Sequence, residues 1–333
     1  MTSITNIRES IFSINDDFTF NKVALEIFHF QATYNEVYRR YIDLLKINID
    51  EITHYSKIPF LPIEFFKSNV VISSVDKNPM PEIVFKSSGT TGQNTSTHYL
   101  LDTGIYFESF TKGFHYFYGD LKEWNILALL PSYLERKDSS LVYMVDHWMR
   151  LSNKEANQFY LYEHQALYEH LKALEIKQEK SLLIGVSYAL LDFMEAYQLP
   201  LHHCIVMETG GMKGKRAEIS KFELHEHLQK AFSIPHIHAE YGMTELLSQA
   251  YSKGQGIYAC PPWMKVICTE LNDPFQSSAF HTNGRINIID LANLYSCSFI
   301  ETADMGKLHP NGHFEIIGRM ENAILRGCNL LID

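Results

Sequence analysis

Between Asn125 and Gly242 the chain alternates short apolar runs with stretches of helical period. NILALLPSY (125–133), SLLIGVS (181–187), HCIVMETGG (203–211) and HIHAEYG (236–242) read as strands. LVYMVDHWMRL (141–151), residues 156–179, YALLDFMEAY (188–197) and RAEISKFELHEHLQKAF (216–232) read as helices. NILALLPSY reads as a buried strand ending at a Pro turn, and strand and helix alternate through this stretch. That order restricts the fold to α/β layering around a largely parallel sheet.

The flanks read differently. In the first 55 residues Ala24, Ile27, Phe28, Phe30, Tyr34, Val37, Tyr38, Tyr41, Leu44 and Leu45 recur at helical spacing. IPFLPIEFFK (58–67) reads as an extended segment with a turn, VVISS (70–74) and EIVFKSS (82–88) as short strands, and 101–118 as a helix. After residue 255 come WMKVICTEL, RINIIDL, SCSFIETADMG and HFEIIGRM, separated by NDP, NG and PNG turns. These read as a small antiparallel sheet or barrel packed on the α/β part. The expected organisation is an α/β core with a helical N-terminal segment over residues 1–254, and a β-rich subdomain over 255–333.

A net charge of −10 argues against a nucleic-acid backbone as partner. It leaves room for phosphate bound locally by loop amides and helix N-termini. No run approaches the roughly 18 apolar residues of a membrane span, and the N-terminus does not read as a secretory signal. The five cysteines (Cys204, Cys260, Cys268, Cys297, Cys328) are scattered and lack CxxC spacing, which fits a reduced, cytoplasmic setting. His225/His227 and His236/His238 show no third ligand that would suggest zinc, and no G-x-S-x-G frames a serine nucleophile. The 21 Phe and 19 Tyr suit either a bulky core or an apolar pocket.

Three polar segments stand at strand ends. Ser87-Ser88-Gly89-Thr90-Thr91-Gly92 follows the apolar run EIVF, and its glycines, hydroxyls and amides offer a polyphosphate a dense donor set. It lacks the Lys of a Walker A loop and reads equally as a solvated turn. Tyr241-Gly242-Met243-Thr244-Glu245 combines an aromatic that can stack on a base, a hydroxyl for a phosphate and a carboxylate for Mg²⁺. It also reads as a loop in which Thr244 caps a helix. Glu301-Thr302-Ala303-Asp304-Met305-Gly306 places an Asp suited to a ribose diol, with Arg319 across a hairpin; a surface pair is the plainer reading.

In this order, about 150 and about 60 residues apart, the three segments resemble the adenylate-forming superfamily of acyl-CoA synthetases, peptide-synthetase adenylation domains and luciferases. The resemblance covers roughly residues 55–330. Within that superfamily the chain looks most like LuxE-type acyl-protein synthetases, through IPFLPIEFFK, SSGTTG, LLPSYLERKDSSL, ETGGMKGKR and the terminal RGC. The resemblance implies the fold of the large N-terminal domain of an adenylate-forming enzyme, with ATP and Mg²⁺ as cofactors. Ser87, Ser88, Gly89, Thr90, Thr91 and Gly92 would hold phosphates, and Gly210, Gly211, Tyr241 and Gly242 would border adenine. Thr244 would contact the α-phosphate and Glu245 would bind Mg²⁺, while Asp304 and Arg319 would bind ribose.

The implied activity is activation of a carboxylic, and specifically fatty, acid to an acyl-adenylate, followed by transfer to a thiol. That thiol would be Cys328, a carrier protein or a reductase partner. A non-catalytic nucleotide- or acyl-binding module and an acyl-CoA ligase are the alternatives. Two departures from the family pattern are Gln93-Asn94-Thr95, where Pro-Lys-Gly is usual, and Thr302-Ala303-Asp304, where Thr-Gly-Asp is usual. The sequence ends at Asp333, just past the hinge region around Arg319, so the expectation is that the usual C-terminal domain is absent.

Overall fold

The computed structural model describes residues 4–87, 95–132, 134–211, 215–217 and 219–320. The chain opens with three helices, α1 (Ile4–Ile11), α2 (Asp17–Tyr34) and α3 (Glu36–Leu44). There follow β1 (Leu61–Pro62), a single turn α4 (Phe65–Ser68), the hairpin β2 (Ile83–Lys86) and β3 (Thr97–Leu100), and α5 (Thr103–Tyr118). The alternating section is β4 (Asn125–Leu129), α6 (Ser140–Ser152), β5 (Gln158–Phe159), α7 (His164–Lys177), β6 (Ser181–Val186), α8 (Ser187–Ala196), β7 (Cys204–Thr209), α9 (Lys221–Phe232) and β8 (His238–Tyr241). The last strands are β9 (Ala250–Ser252), β10 (Ile257–Ala259), β11 (Met264–Thr269), β12 (Gly284–Asp290), β13 (Phe299–Leu308) and β14 (Phe314–Arg319).

Strands β5, β4, β6, β7 and β8 lie parallel in the spatial order β8-β7-β6-β4-β5. Each is joined to the next in sequence by a helix, as the apolar runs predict. β4, β6 and most of β7 are buried along their length, so water reaches neither face. At β8 the sheet changes character. β9 pairs antiparallel with β8, and β10, β14, β13, β12 and β11 continue the same sheet antiparallel. The C-terminal strands therefore extend the parallel sheet by main-chain hydrogen bonds. β2 and β3 form a separate two-stranded ribbon.

Two segments differ from their sequence reading for local reasons. Residues 156–179 do not form one helix, because Asn157 accepts from the Ile126 amide (2.7 Å) and donates to the Met149 carbonyl (2.8 Å). This holds Gln158–Phe159 as an edge strand beside β4 and delays the helix to His164. VVISS forms no ladder: the Ser73 amide donates to the Tyr295 carbonyl and the Ser296 hydroxyl to the Val71 carbonyl. One loop carbonyl and one side-chain hydroxyl thus satisfy the extended backbone in place of a neighbouring strand.

The N-terminal helices brace the C-terminal strands. α2 starts at Asp16, whose side chain and Thr19 form a capping box, and it buries Phe20, Val23, Ala24, Ile27 and Phe28. Gln31 on the same helix donates to the Asn293 and Leu294 carbonyls and accepts from the Ser298 amide. No helix among the described residues is long and apolar enough to cross a membrane.

Candidate functional site

The parallel-to-antiparallel switch at β8 leaves a set of loops together at the carboxyl ends of β7 and β8, where open α/β sheets bind ligands. The β8 loop carries Tyr241 to Glu245. The Tyr241 hydroxyl donates to Asp304 Oδ2 (2.8 Å), and Arg319 Nε lies 3.3 Å from Asp304 Oδ1. Asp304 and Arg319 face each other across the β13–β14 ladder, which fixes that pair by register. Residues read from sequence as adenine- and ribose-binding are thus in direct contact. Burial and the Asp304 charge raise the Tyr241 hydroxyl well above its ordinary range, so it is a donor at neutral pH. The Tyr241 ring packs edge-on against Tyr258 (5.9 Å) and Phe314 (5.6 Å).

The other end of the β8 loop meets the β2–β3 ribbon. Ser87 and Ser96 close the mouth of that hairpin: the Ser87 amide donates to the Ser96 carbonyl (3.0 Å), and the Ser96 amide to Ser87 Oγ (2.9 Å). The Ser96 side chain lies close enough to lower the Glu245 carboxyl, and His98 Nδ1 donates to the Thr244 carbonyl (2.8 Å). Ser88, Gly89, Thr90, Thr91 and Gly92, between Ser87 and Ser96, lie outside the described residues, as does Cys328. Glu245 is 5% exposed, and burial raises its carboxyl above the ordinary carboxylate range against the opposing effect of Ser96. A carboxylate desolvated in this way gains most from a cation.

Gly210 and Gly211 end β7 on the same side. Gly210 has φ +68°, a conformation that favours glycine, and its carbonyl accepts from the Ser187 hydroxyl (3.4 Å). Gly242 is required by packing: an added Cβ would strike Glu240 Oε1. Glu240 is 6% exposed and accepts from the Thr209 hydroxyl (2.5 Å), which joins the ends of β7 and β8.

Several residues that sequence reasoning missed hold these loops. Asp290, at the end of β12, accepts from the Leu247 amide (2.7 Å), the Ser248 amide (2.9 Å), the Ser248 hydroxyl (2.5 Å) and the Ala292 amide (3.2 Å). Asn293 Nδ2 donates to the Glu245 carbonyl (2.6 Å). Beneath β7, Glu208 is fully buried, with Lys221 Nζ at 2.7 Å and His225 Nε2 at 3.5 Å, and Lys221 also reaches the Tyr258 hydroxyl. Lys221 keeps the Glu208 carboxyl below its ordinary value against the opposing effect of burial. The only hint in the sequence is an acidic residue at the end of an apolar run, INIID for Asp290 and CIVME for Glu208.

The sequence matches no protein-family model and no curated protein. The structure does match solved structures. A 2-hydroxyisobutyryl-CoA ligase, in an open conformation with 2-HIB-AMP and CoA, superposes with a TM-score of 0.65 at 9% identity, covering 93% of this chain and 72% of that one. ATP-bound MatB from Rhodopseudomonas palustris gives 0.52 at 14%, covering 74% of this chain and 50% of that one. MenE from Bacillus subtilis, an O-succinylbenzoate coenzyme A synthetase with ATP and magnesium, gives 0.50 at 14%, covering 72% and 50%. At these identities the likeness is one of fold, the α/β architecture of the large N-terminal domain of adenylate-forming enzymes. The chain spans about half the length of the MatB and MenE chains.

Proposed function

We propose that this chain uses Mg-ATP to activate a carboxylic acid as its acyl-adenylate and then passes the acyl group to a thiol. The observation that carries the reading is that Asp304 and the β2–β3 hairpin both meet the β8 loop. Asp304 is bonded to Tyr241 at one end of the β8 loop, and at the other end His98 of the β2–β3 hairpin is bonded to the Thr244 carbonyl. A base over Gly210–Gly211 and beside Tyr241 leaves the ribose at Asp304, which has lone pairs free beyond those taken by Tyr241 and Arg319. The triphosphate then runs along the Thr244–Glu245 loop toward the amides and hydroxyls of SSGTTG.

The donor set fits a magnesium ion carried in by the nucleotide. Among the described residues no group of three or more His, Cys, Asp or Glu could hold a metal by itself. Glu245 would supply a protein oxygen, with phosphate and water completing the shell. Bound there, the ion would neutralise charge on the phosphate oxygens. The acid's carboxylate oxygen attacks the α-phosphorus, the bond from that phosphorus to the bridging oxygen breaks, and pyrophosphate leaves. Donors from the loops stabilise the charge that develops. A thiolate then attacks the acyl carbon and AMP leaves. Cys328 is the acceptor this reading favours, with a carrier or reductase thiol next, and a fatty acid is the favoured substrate.

Pyrophosphate release from Mg-ATP with a panel of short, long-chain and aromatic acids tests the first step. Intact mass from the same samples, with and without coenzyme A, tests the second. Acid-dependent release that falls at least a hundredfold in Glu245→Gln and Asp304→Ala is the expected result, with an acyl mass lost in Cys328→Ser. Nucleotide binding without release for any acid would overturn the catalytic reading and leave a binding module. Release that yields acyl-CoA and no acylated protein would move the acceptor to coenzyme A.

A further inference from the structure

Two successive carbonyls of the β8 loop are held by side chains that arrive from different parts of the chain. His98 on β3 donates through Nδ1 to the Thr244 carbonyl (2.8 Å), and Asn293, just after β12, donates through Nδ2 to the Glu245 carbonyl (2.6 Å). Both side chains are buried, and each leaves its other polar atom, His98 Nε2 and Asn293 Oδ1, without a partner among the described residues. An unpaired polar atom that water does not reach is destabilising. A leucine at position 98 would pack on Phe66, whose ring stands edge-on to the imidazole at 5.9 Å, with no such atom to bury. What the imidazole supplies in its place is the Nδ1 donor.

A carbonyl only accepts, so the Thr244 bond fixes the His98 proton on Nδ1. Burial, against the opposing effects of the Thr244 carbonyl and Asn293, lowers His98 to about 4. The ring is therefore neutral at pH 7 and acts by direction, not by charge. Its bond sets one peptide plane. The N–H of a trans peptide points away from the C=O, so holding the Thr244 oxygen against β3 turns the Glu245 amide the other way. That amide lies close enough to the Glu245 carboxyl to lower it, against the effect of burial.

We propose that His98 is a positioning residue for the triphosphate end of the site, holding the Thr244–Glu245 peptide in the orientation that receives Mg-ATP. The inference rests on the nucleotide reading above and divides that site in two. Tyr241 and Asp304, at the other end of the loop, are bonded to each other and do not depend on His98. Removing the Nδ1 donor should disorder the Thr244–Glu245 end first, weaken Mg-ATP as a consequence, and spare adenosine.

Titration calorimetry of the full chain with Mg-ATP and with adenosine separates the two ends. His98→Leu should bind Mg-ATP at least tenfold more weakly and adenosine within twofold of wild type. His98→Asn, whose amide nitrogen stands near the place of Nδ1, should recover Mg-ATP binding to within threefold. His98→Gln carries its nitrogen farther out, near the place of Nε2, and should bind as weakly as the leucine variant; it tests the same point should leucine not fold. Without ligand, the segment 241–248 should exchange its amide hydrogens at least tenfold faster in the leucine or glutamine variant. Mg-ATP bound as tightly as by wild type, adenosine weakened in the same proportion as Mg-ATP, unchanged exchange, or no recovery in His98→Asn would overturn the positioning role and leave the nucleotide reading standing. A wild-type chain that binds neither ligand would overturn both.

Discussion

Replacing Asp290 by Ala should loosen the loop that carries Thr244 and Glu245. The Asp290 carboxylate is fully buried and accepts from the Leu247 and Ser248 amides at 2.7 and 2.9 Å. Alanine leaves these amides, and that of Ala292 (3.2 Å), without a partner in a place water does not reach, at about 1–3 kcal/mol each. The Ser248 hydroxyl has alternatives, since it already lies 3.0 Å from Ser109 Oγ, so its loss adds little. An opposing contribution comes from the charge itself. Burial raises the Asp290 carboxyl above its ordinary value even with four donors lowering it, so the ionised form carries a net burial cost that alanine removes.

The balance is a loss of about 2–4 kcal/mol, from three orphaned amides less the relief of one desolvated charge. Asp290→Asn can keep its oxygen on the Leu247 and Ser248 amides, which share Oδ2, and turns its NH₂ toward the Ala292 amide and the Ser248 hydroxyl, so its loss should be about half as large. Urea unfolding at 25 °C and pH 7, followed by far-UV circular dichroism with wild-type and variant slopes compared, measures both. A loss in Asp290→Ala below about 0.5 kcal/mol, the level of an ordinary surface change, would refute the reasoning. So would an Asn variant less stable than the Ala variant. Because the same carboxylate fixes the residues just after Glu245, Mg-ATP affinity should fall in both variants in the same order.

Lys221→Met removes the main counter-charge from fully buried Glu208 and should cost about 3–5 kcal/mol, while Glu208→Gln/Lys221→Met should recover most of it. A double variant no more stable than the single one in urea would show that the two side chains do not act as a pair. Gly242→Ala drives a methyl into the Glu240 carboxylate and should destabilise by about 1–3 kcal/mol while weakening nucleotide binding, so an unchanged melting temperature and affinity would contradict it. Burial, with help from Lys253 and His236, lowers His238 to about 4 from its ordinary 6.5. The unfolded chain therefore binds this proton first as pH falls. Stability should decline between pH 6.5 and about 4, by at most about 3 kcal/mol from this group, and His238→Gln should flatten that part of the melting curve against pH.

What could be read from sequence and what could not divide along a physical line. The strands β4, β6 and β7 announce themselves because burial on both faces demands an unbroken apolar run, a requirement met within six residues of chain. Tyr241, Glu245 and Asp304 stand out in the sequence as polar residues beside apolar or glycine-bearing stretches, although the fold buries Glu245 and Asp304 to 5% and 7% exposure. His98, Asp290 and Lys221 break no pattern that a local window can interpret. His98 reads as an ordinary polar position in THYL, yet it is nearly inaccessible and its partner Thr244 is 146 residues away. Lys221 reads as the first residue of a solvated helix, yet its ammonium lies against a carboxylate from β7 and a hydroxyl from β10. A buried polar side chain is tolerated only through the partner that satisfies it, and that partner is chosen by the fold and not by the neighbouring sequence. The same asymmetry tells the two classes apart by experiment. Where the residues singled out in the sequence serve a ligand, changing them should alter binding more than stability. Groups visible only in the fold face one another, so changing them should cost stability first and binding as a consequence.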